Sequence, residues 1–359
     1  MAISRTAAEE LAIAEQLDAT GDHDNAVDAL ARATQMGDIE ATTRLGKRLV
    51  TGINAPQLPM QGVGFLIEAF NKGGAEAAAR LAVLSAAGVY VQPSLAESLR
   101  LLLAAAERGW SPAMLQLCAL TPDRELAARA SQQSVPENYW QSVADTIELG
   151  FWNTAPDGRT LNESPLIRSF AEFVPESVCR WMIDRSKGRL NRALVYDATA
   201  GQDYASETRT NSWAQFDLMS SELIHLFVQL RMQAASGIPL HNMEANAILH
   251  YAIGEEISNH FDFVDPKIPN YEEEIANNGQ RVMTFLVYLN DDYEGGETEF
   301  PELGIVHRGR QGEGLYFVNA LENNEPDLRT VHAGRPPTQG EKWIVSQFVR
   351  SRQVLGVVA

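Results

Sequence analysis

Between Asn259 and Phe263 the chain reads NHFDF, and between Arg329 and His332 it reads RTVH. In an extended segment residues i and i+2 point to one side. His260 and Asp262 therefore offer an imidazole and a carboxylate to one cavity, and His332 brings a second imidazole from far along the chain. Two histidines and one carboxylate form the facial arrangement that holds non-haem Fe(II) with three positions open. Alone, H-x-D is a weak signal. A chain with 47 Asp+Glu contains such a triplet by chance, and a surface histidine in an ordinary hydrogen bond is the plain alternative. Its company decides the reading. Residues 340–350 read GEKWIVSQFVR, a strand on which Lys342, Ile344, Ser346 and Phe348 share one face. A lysine heading a mostly apolar inward face requires an anion, and a dicarboxylate supplies one.

The surroundings of these residues read as strands. Ala247–Ile253, Val282–Leu289, Gly314–Asn319, Thr330–His332 and Lys342–Val349 are short β-rich runs divided by Gly, Pro or Asn. Helices are expected upstream, over Ser177–Ser186 and Ser221–Ser236. Helices followed by many short strands predict an α+β domain with a sandwich or jelly roll.

The first third of the chain repeats itself. At a shift of 36 residues Gly37, Gly73 and Gly109 coincide, as do Ala41, Ala77 and Ala113, and Leu45, Leu81 and Leu117. Leu30, Leu66 and Leu102 form another column, and Ala33, Ala69 and Ala105 a further one. Ala41, Leu45 and Leu49 mark one face of a helix, and Val27, Leu30 and Ala33 the face of a second. A glycine between the helices suits a left-handed C-cap. Each unit is thus a helix–turn–helix pair that buries its face by stacking on the next. EATTRLGKRLVTG (40–52) followed by GFLIEAFNKG (64–73) resembles TPR-like repeats of the Sel-one type. That resemblance implies a peptide- or protein-binding surface, the alternative being a scaffold or dimerisation element. NTAPDGRTLNESP (153–165) is turn-rich and marks a boundary.

Composition limits the function. The 45% hydrophobic and 21% charged residues suit a packed chain rather than a disordered one. A formal charge of −18 argues against nucleic acid and against adhesion to anionic membranes, both of which rest on basic residues. Glu9 and Glu10 interrupt what would be a leader's apolar core, and no apolar run suits a membrane helix. Cys118 and Cys179 form no disulfide framework, and two reduced thiols in a cytoplasmic protein are expected.

The stretch from Ile248 to Arg350 resembles the prolyl 4-hydroxylase branch of the 2-oxoglutarate/Fe(II) dioxygenases. LHYAIGEEISNHFDF (249–263), GQRVMTFLVYLNDDYEGGETEFP (279–301) and HAGRPPTQGEKWIVSQFVR (332–350) carry it. SPLIRSFAEFVPESVCRWMIDRS (164–186) is similar to the family's opening helix, and RTNSWAQF (209–216) to its substrate-side loop. The resemblance implies a double-stranded β-helix. It implies that His260, Asp262 and His332 bind Fe(II). Lys342 would pair with the distal carboxylate of 2-oxoglutarate, Tyr251 and Thr284 would hydrogen-bond that carboxylate, and Arg209 would face substrate. The substrate loop would span about 196–212, and a mobile lid about 264–280. Gly295 and Gly296 are expected in a tight turn, and Trp343 on the outer face of its strand. His250 and His307 are not expected as ligands. One departure stands out: Ile257 occupies the place of a family tyrosine.

These readings predict a TPR-like helical repeat domain over 1–135, a helical linker over 136–162 and a dioxygenase domain over 163–359. The expected cofactors are Fe(II), 2-oxoglutarate and O₂, with ascorbate as a reductant. The expected reaction hydroxylates an unactivated C–H bond, most simply on a prolyl or other residue of a peptide or protein, and releases succinate and CO₂. A free amino acid or small metabolite is the alternative substrate. A different class of function is an interaction protein whose repeats dominate and whose oxygenase fold senses O₂ or 2-oxoglutarate.

Overall fold

The computed structural model describes residues 5–131, 135–197, 202–204, 206–268 and 271–354. The chain falls into two compact units. One comprises Met1–Leu149 with Leu218–Leu226, and the other Gly150–Asp217 with Phe227–Val357.

The first unit is helical. Ala7–Ala19, His23–Gln35, Ile39–Thr51, Pro59–Asn71, Ala75–Ala87, Leu95–Glu107 and Ser111–Leu120 follow in order. Thr6 and Glu9 close a capping box at its start. The period seen in the sequence has a packing cause: Leu30, Ala33, Ala41, Leu45 and Leu49 are buried in one cluster. Gly52 and Gly88 end their helices in the left-handed conformation. The helices Ile39–Thr51 and Pro59–Asn71 meet at two further glycines. A Cβ on Gly46 would stand 2.9 Å from the Gly62 carbonyl oxygen, and one on Gly62 2.6 Å from that of Gly46. The buried Arg80 donates to the carbonyls of Met219 and Ser221 at 2.7 and 2.6 Å, which ties Leu218–Leu226 into this unit. Residues 136–162, expected as a helical linker, hold the short helices Tyr139–Ala144 and Leu149–Asn153.

The second unit is built on antiparallel sheets. An eight-stranded sheet has the order Arg159–Glu163, Leu166–Phe170, Gly314–Val318, Arg281–Tyr288, Lys342–Arg350, Asn246–Tyr251, Ser212–Phe216 and Asn191–Arg192. A four-stranded sheet has the order Ile305–His307, Thr298–Phe300, His332–Gly334 and Ile257–His260. The apolar core lies between them, with Leu249, Leu286, Tyr288, Phe317 and Ile344 from the large sheet and Ile257 and Phe300 from the small one. This is the α+β, double-stranded β-helix architecture with an N-terminal helical repeat region. The central strand Arg281–Tyr288 is buried on both faces. Its Phe285 stacks on Phe170 and packs at a tilt against Phe173, so its sequence shows a continuous apolar run rather than alternation.

Local differences from the sequence reading have physical causes. Thr330–His332 was expected to be a strand ending at His332; instead a 3-10 turn covers Leu328–Thr330 and the strand His332–Gly334 begins there. Asp327 forces the turn, since its side chain accepts from Arg329 N. The turn-rich stretch 153–165 contains the edge strand Arg159–Glu163. The segment 264–280 contains the helix Tyr271–Asn278, and residues 269 and 270 lie outside the described residues. Of the segment 196–212, residues 198–201 and 205 lie outside them too. No helix among the described residues is long and apolar enough to cross a membrane.

Candidate metal centre

His260 ends one strand of the small sheet and His332 begins its neighbour. The two are Cα partners in the antiparallel ladder, and their ring centroids are 4.2 Å apart. Asp262 follows two residues after His260 and turns back to both. Its Oδ1 lies 3.4 Å from His260 Nε2 and its Oδ2 3.3 Å from His332 Nε2. One donor atom from each of the three residues lies within 4.8 Å of the others. Asp262 and His332 are buried, and Phe317 and Phe300 flank the His332 ring.

The tautomers are set by the backbone. His260 Nδ1 lies 2.9 Å from the carbonyl of Ser258, and His332 Nδ1 3.0 Å from that of Thr330. Each Nδ1 therefore carries the proton, and each Nε2 lone pair faces the cavity. Burial and the neighbouring His332 lower the His260 pKa, which favours the neutral, ligating form. Burial acts to raise the Asp262 pKa, but His332 and His260 outweigh it and hold the carboxyl well below its usual range. A divalent cation suits this donor set of two neutral imidazoles and one carboxylate.

Lys342 lies on the large sheet, paired with Tyr251. Its side chain is fully buried and its Nζ has no hydrogen-bond partner among the described residues. Burial pushes its pKa down to about 7, and Glu297 only partly opposes this. A second buried donor, the Tyr293 hydroxyl, also lacks a partner among the described residues. Gly296 explains how the two fit together: a Cβ there would stand 2.8 Å from the Tyr293 ring and 3.3 Å from Lys342 Cδ. Gly295 and Gly296 both adopt positive φ, as a tight turn requires. Tyr251 is buried with its hydroxyl against Gly334, and Tyr288 pairs its hydroxyl with Thr298 Oγ1 at 2.9 Å. A buried lysine and a buried hydroxyl, both against Gly296 and both without a partner among the described residues, fit the carboxylate of an anionic ligand.

Residues 247–350 match the model of the 2OG-Fe(II) oxygenase superfamily. The C-terminal unit carries a 2OG-Fe(II) oxygenase domain. The rat prolyl 4-hydroxylase subunit alpha-1 is 27% identical over 190 residues, covering 53% of this chain and 35% of that protein. The match thus spans about a third of the length of that curated relative. The viral collagen prolyl hydroxylase of Paramecium Bursaria Chlorella virus-1 is similar at 23% identity, covering 52% of this chain and 96% of that one with a TM-score of 0.40. A Sel1 repeat protein from Oxalobacter formigenes is similar at 26% identity, covering 39% of this chain and 58% of that one with a TM-score of 0.30.

Within the oxygenase domain the structure brings His260, Asp262 and His332 together and places Lys342 beside Tyr251. Thr284 lies against the metal-binding carboxylate. Its hydroxyl bonds Asp262 Oδ2 at 2.7 Å. Arg209 bridges to Ile257 in antiparallel fashion, and its Nε is buried without a partner among the described residues. Burial lowers its pKa, while Tyr251 and Asp262 act in the opposite direction. Ile257 packs into the core. His250 and His307 lie outside the cluster and face Glu341 and Glu313. Sequence reasoning missed Tyr293 and Asn319. The aromatic inside NDDYEGG was a signal for the first. No local pattern marked the second.

Proposed function

We propose that this chain is an Fe(II)- and 2-oxoglutarate-dependent dioxygenase that hydroxylates an unactivated C–H bond. The most direct substrate is a prolyl or other amino-acid residue in a peptide or protein, with succinate and CO₂ as coproducts. One observation carries the reading: a ready two-histidine, one-carboxylate donor set shares its domain with a buried lysine that has no hydrogen-bond partner among the described residues. His260, Asp262 and His332 would hold the metal through Nε2, a carboxylate oxygen and Nε2. Lys342 would hold the distal carboxylate of 2-oxoglutarate, with Tyr251 and Tyr293 beside it. When bound, iron and 2-oxoglutarate supply the oxidising power for C–H hydroxylation, with ascorbate as an auxiliary reductant.

The chain's own residues bind, orient and exclude water. The backbone carbonyls of Ser258 and Thr330 lock the two imidazoles. Phe300 and Phe317 keep one side of His332 dry. Arg209 would meet the substrate. The prolyl hydroxylase relatives favour a peptidyl substrate. The loss of a hydroxyl at Ile257 and the unsatisfied Arg209 Nε favour a second reading, a free amino acid whose carboxylate Arg209 receives. The helical repeats support a protein partner, and the two free cysteines, one of them buried, support a reducing, cytoplasmic setting.

The test is an anaerobic titration of metal-free protein with Fe(II) and then 2-oxoglutarate, followed by visible absorbance. A charge-transfer band that needs both additions and weakens in Asp262→Ala and Lys342→Ala is the expected result. No band in folded wild-type protein would overturn the reading. Succinate release with peptides and with free amino acids then separates the two substrate classes.

A further inference from the structure

Asp262 is held by more than its two histidines. Its Oδ2 bonds the Thr284 hydroxyl at 2.7 Å, and Asn319 Nδ2 donates to that hydroxyl at 2.8 Å. The direction of this relay follows from proton counting. Asn319 Nδ2 occupies an acceptor position of the Thr284 hydroxyl, which leaves that hydroxyl's single proton for Asp262 Oδ2. A hydroxyl has one proton, so Thr284 cannot also donate to a cosubstrate carboxylate. Asn319 must then present its NH₂ to Thr284, since its carbonyl would compete for the same proton.

Asn319 is fully buried and its backbone is fixed as well. Its N–H donates to the Val282 carbonyl at 2.8 Å, and its carbonyl accepts from Asp327 N at 3.0 Å. The Asp327 carbonyl accepts from Thr330 Oγ1 at 2.7 Å, and the Thr330 carbonyl meets His332 Nδ1. One residue thus sits at the root of two hydrogen-bonded branches, one ending on Asp262 and the other on His332.

We propose that Asn319 and Thr284 are positioning residues for a divalent metal ion, Asn319 setting the hydrogen-bond direction and Thr284 aiming the Asp262 carboxylate. This removes Thr284 from the cosubstrate site. The inference rests on the metal reading above and adds a division of labour: Thr284 and Asn319 serve the metal, and Lys342 serves the cosubstrate.

The experiment uses full-length metal-free protein and Co(II), whose visible absorption reports binding directly. 2-Oxoglutarate affinity is then measured on protein saturated with Co(II). Thr284→Val is expected to weaken Co(II) about 10- to 100-fold and to leave 2-oxoglutarate affinity within about twofold, whereas Thr284→Ser restores Co(II) binding. Asn319→Asp places an acceptor behind the hydroxyl and draws its proton from Asp262. It is expected to weaken Co(II) at least as much as Thr284→Val, and it stands in for that variant should the valine fail to fold. A Thr284→Val protein that keeps Co(II) affinity overturns the proposal, whether or not it loses 2-oxoglutarate. Wild-type protein that binds no Co(II) overturns the metal reading itself and this inference with it.

Discussion

Lys342 Nζ lies 5.0 Å from the centroid of the Tyr251 ring, its partner across the ladder, and 5.8 Å from that of Tyr288. Aromatic faces attract a cation but satisfy none of its N–H donors. Holding Lys342 charged with no anion beside it therefore costs folding free energy.

That cost has a pH signature. The folded pKa of Lys342 is about 7, against about 10.4 in an unfolded chain. Between these values the unfolded chain binds more protons, so stability rises with pH across the window. Below it the charged lysine costs a few kcal/mol, by order of magnitude. Lys342→Met is expected to be the more stable protein near pH 6, its advantage shrinking as pH climbs towards 10. Urea unfolding of both metal-free proteins at several pH values measures this. A less stable methionine variant near pH 6 would refute the buried charge.

With Lys342 in its proposed role, the binding of 2-oxoglutarate is expected to carry a proton. An anion beside Lys342 raises its pKa, so binding takes up a proton above pH 7. Affinity is expected to fall by up to about tenfold per pH unit once pH exceeds 7. Calorimetry in two buffers of different ionisation enthalpy counts the proton. No uptake at pH 8 would remove Lys342 from the cosubstrate site.

Gly296→Ala tests the wall of that pocket. At φ +68 the new Cβ is strained and strikes the Tyr293 ring at 2.8 Å. A loss of about 2–3 kcal/mol and weaker 2-oxoglutarate binding are expected. Gly304 has φ +62 but open space around its Cβ position, so Gly304→Ala carries the backbone cost alone, about 1 kcal/mol. Equal melting temperatures for the two variants would contradict the contact.

In the repeats, two glycines on one helix should respond in opposite directions. Gly62→Ala meets Gly46 O at 2.6 Å and Val50 N at 2.8 Å, whereas nothing lies within 4 Å of a Cβ on Gly64. Gly62→Ala is expected to destabilise by about 1–3 kcal/mol, and Gly64→Ala to stabilise by about 0.5–1 kcal/mol. Thermal unfolding followed by circular dichroism tests both, and a neutral Gly62→Ala would mean that the helices can part freely.

Much of the site was legible because its rules are local. The i, i+2 spacing points His260 and Asp262 to one side, although Asp262 lies in a bend just past the strand end at His260, and strand parity turns Lys342 inward. The repeats were legible because a fixed period reports stacking. Asn319 was silent, because its meaning depends on a partner, Thr284, delivered by the neighbouring strand. The bond from Thr284 to Asp262 was silent for the same reason: the residue type suits a cosubstrate carboxylate, and only the tertiary placement of Asp262 brings it to that hydroxyl. The late start of the strand at His332 followed from a side-chain turn at Asp327 that competes with extended pairing.

The pairing of His260 with His332 in adjacent strands separates two kinds of mutation. A metal held by both imidazoles closes a long loop between them, and the entropy of closure grows only slowly, about 0.6 kcal/mol per doubling of length. Residues inserted in the exposed turn at Glu322–Glu325 should leave the site intact. A single residue deleted from Ile257–His260 turns the imidazole to the opposite face of the sheet. The chain is thus free to lengthen between its ligands, while each short strand that carries one tolerates no change of count.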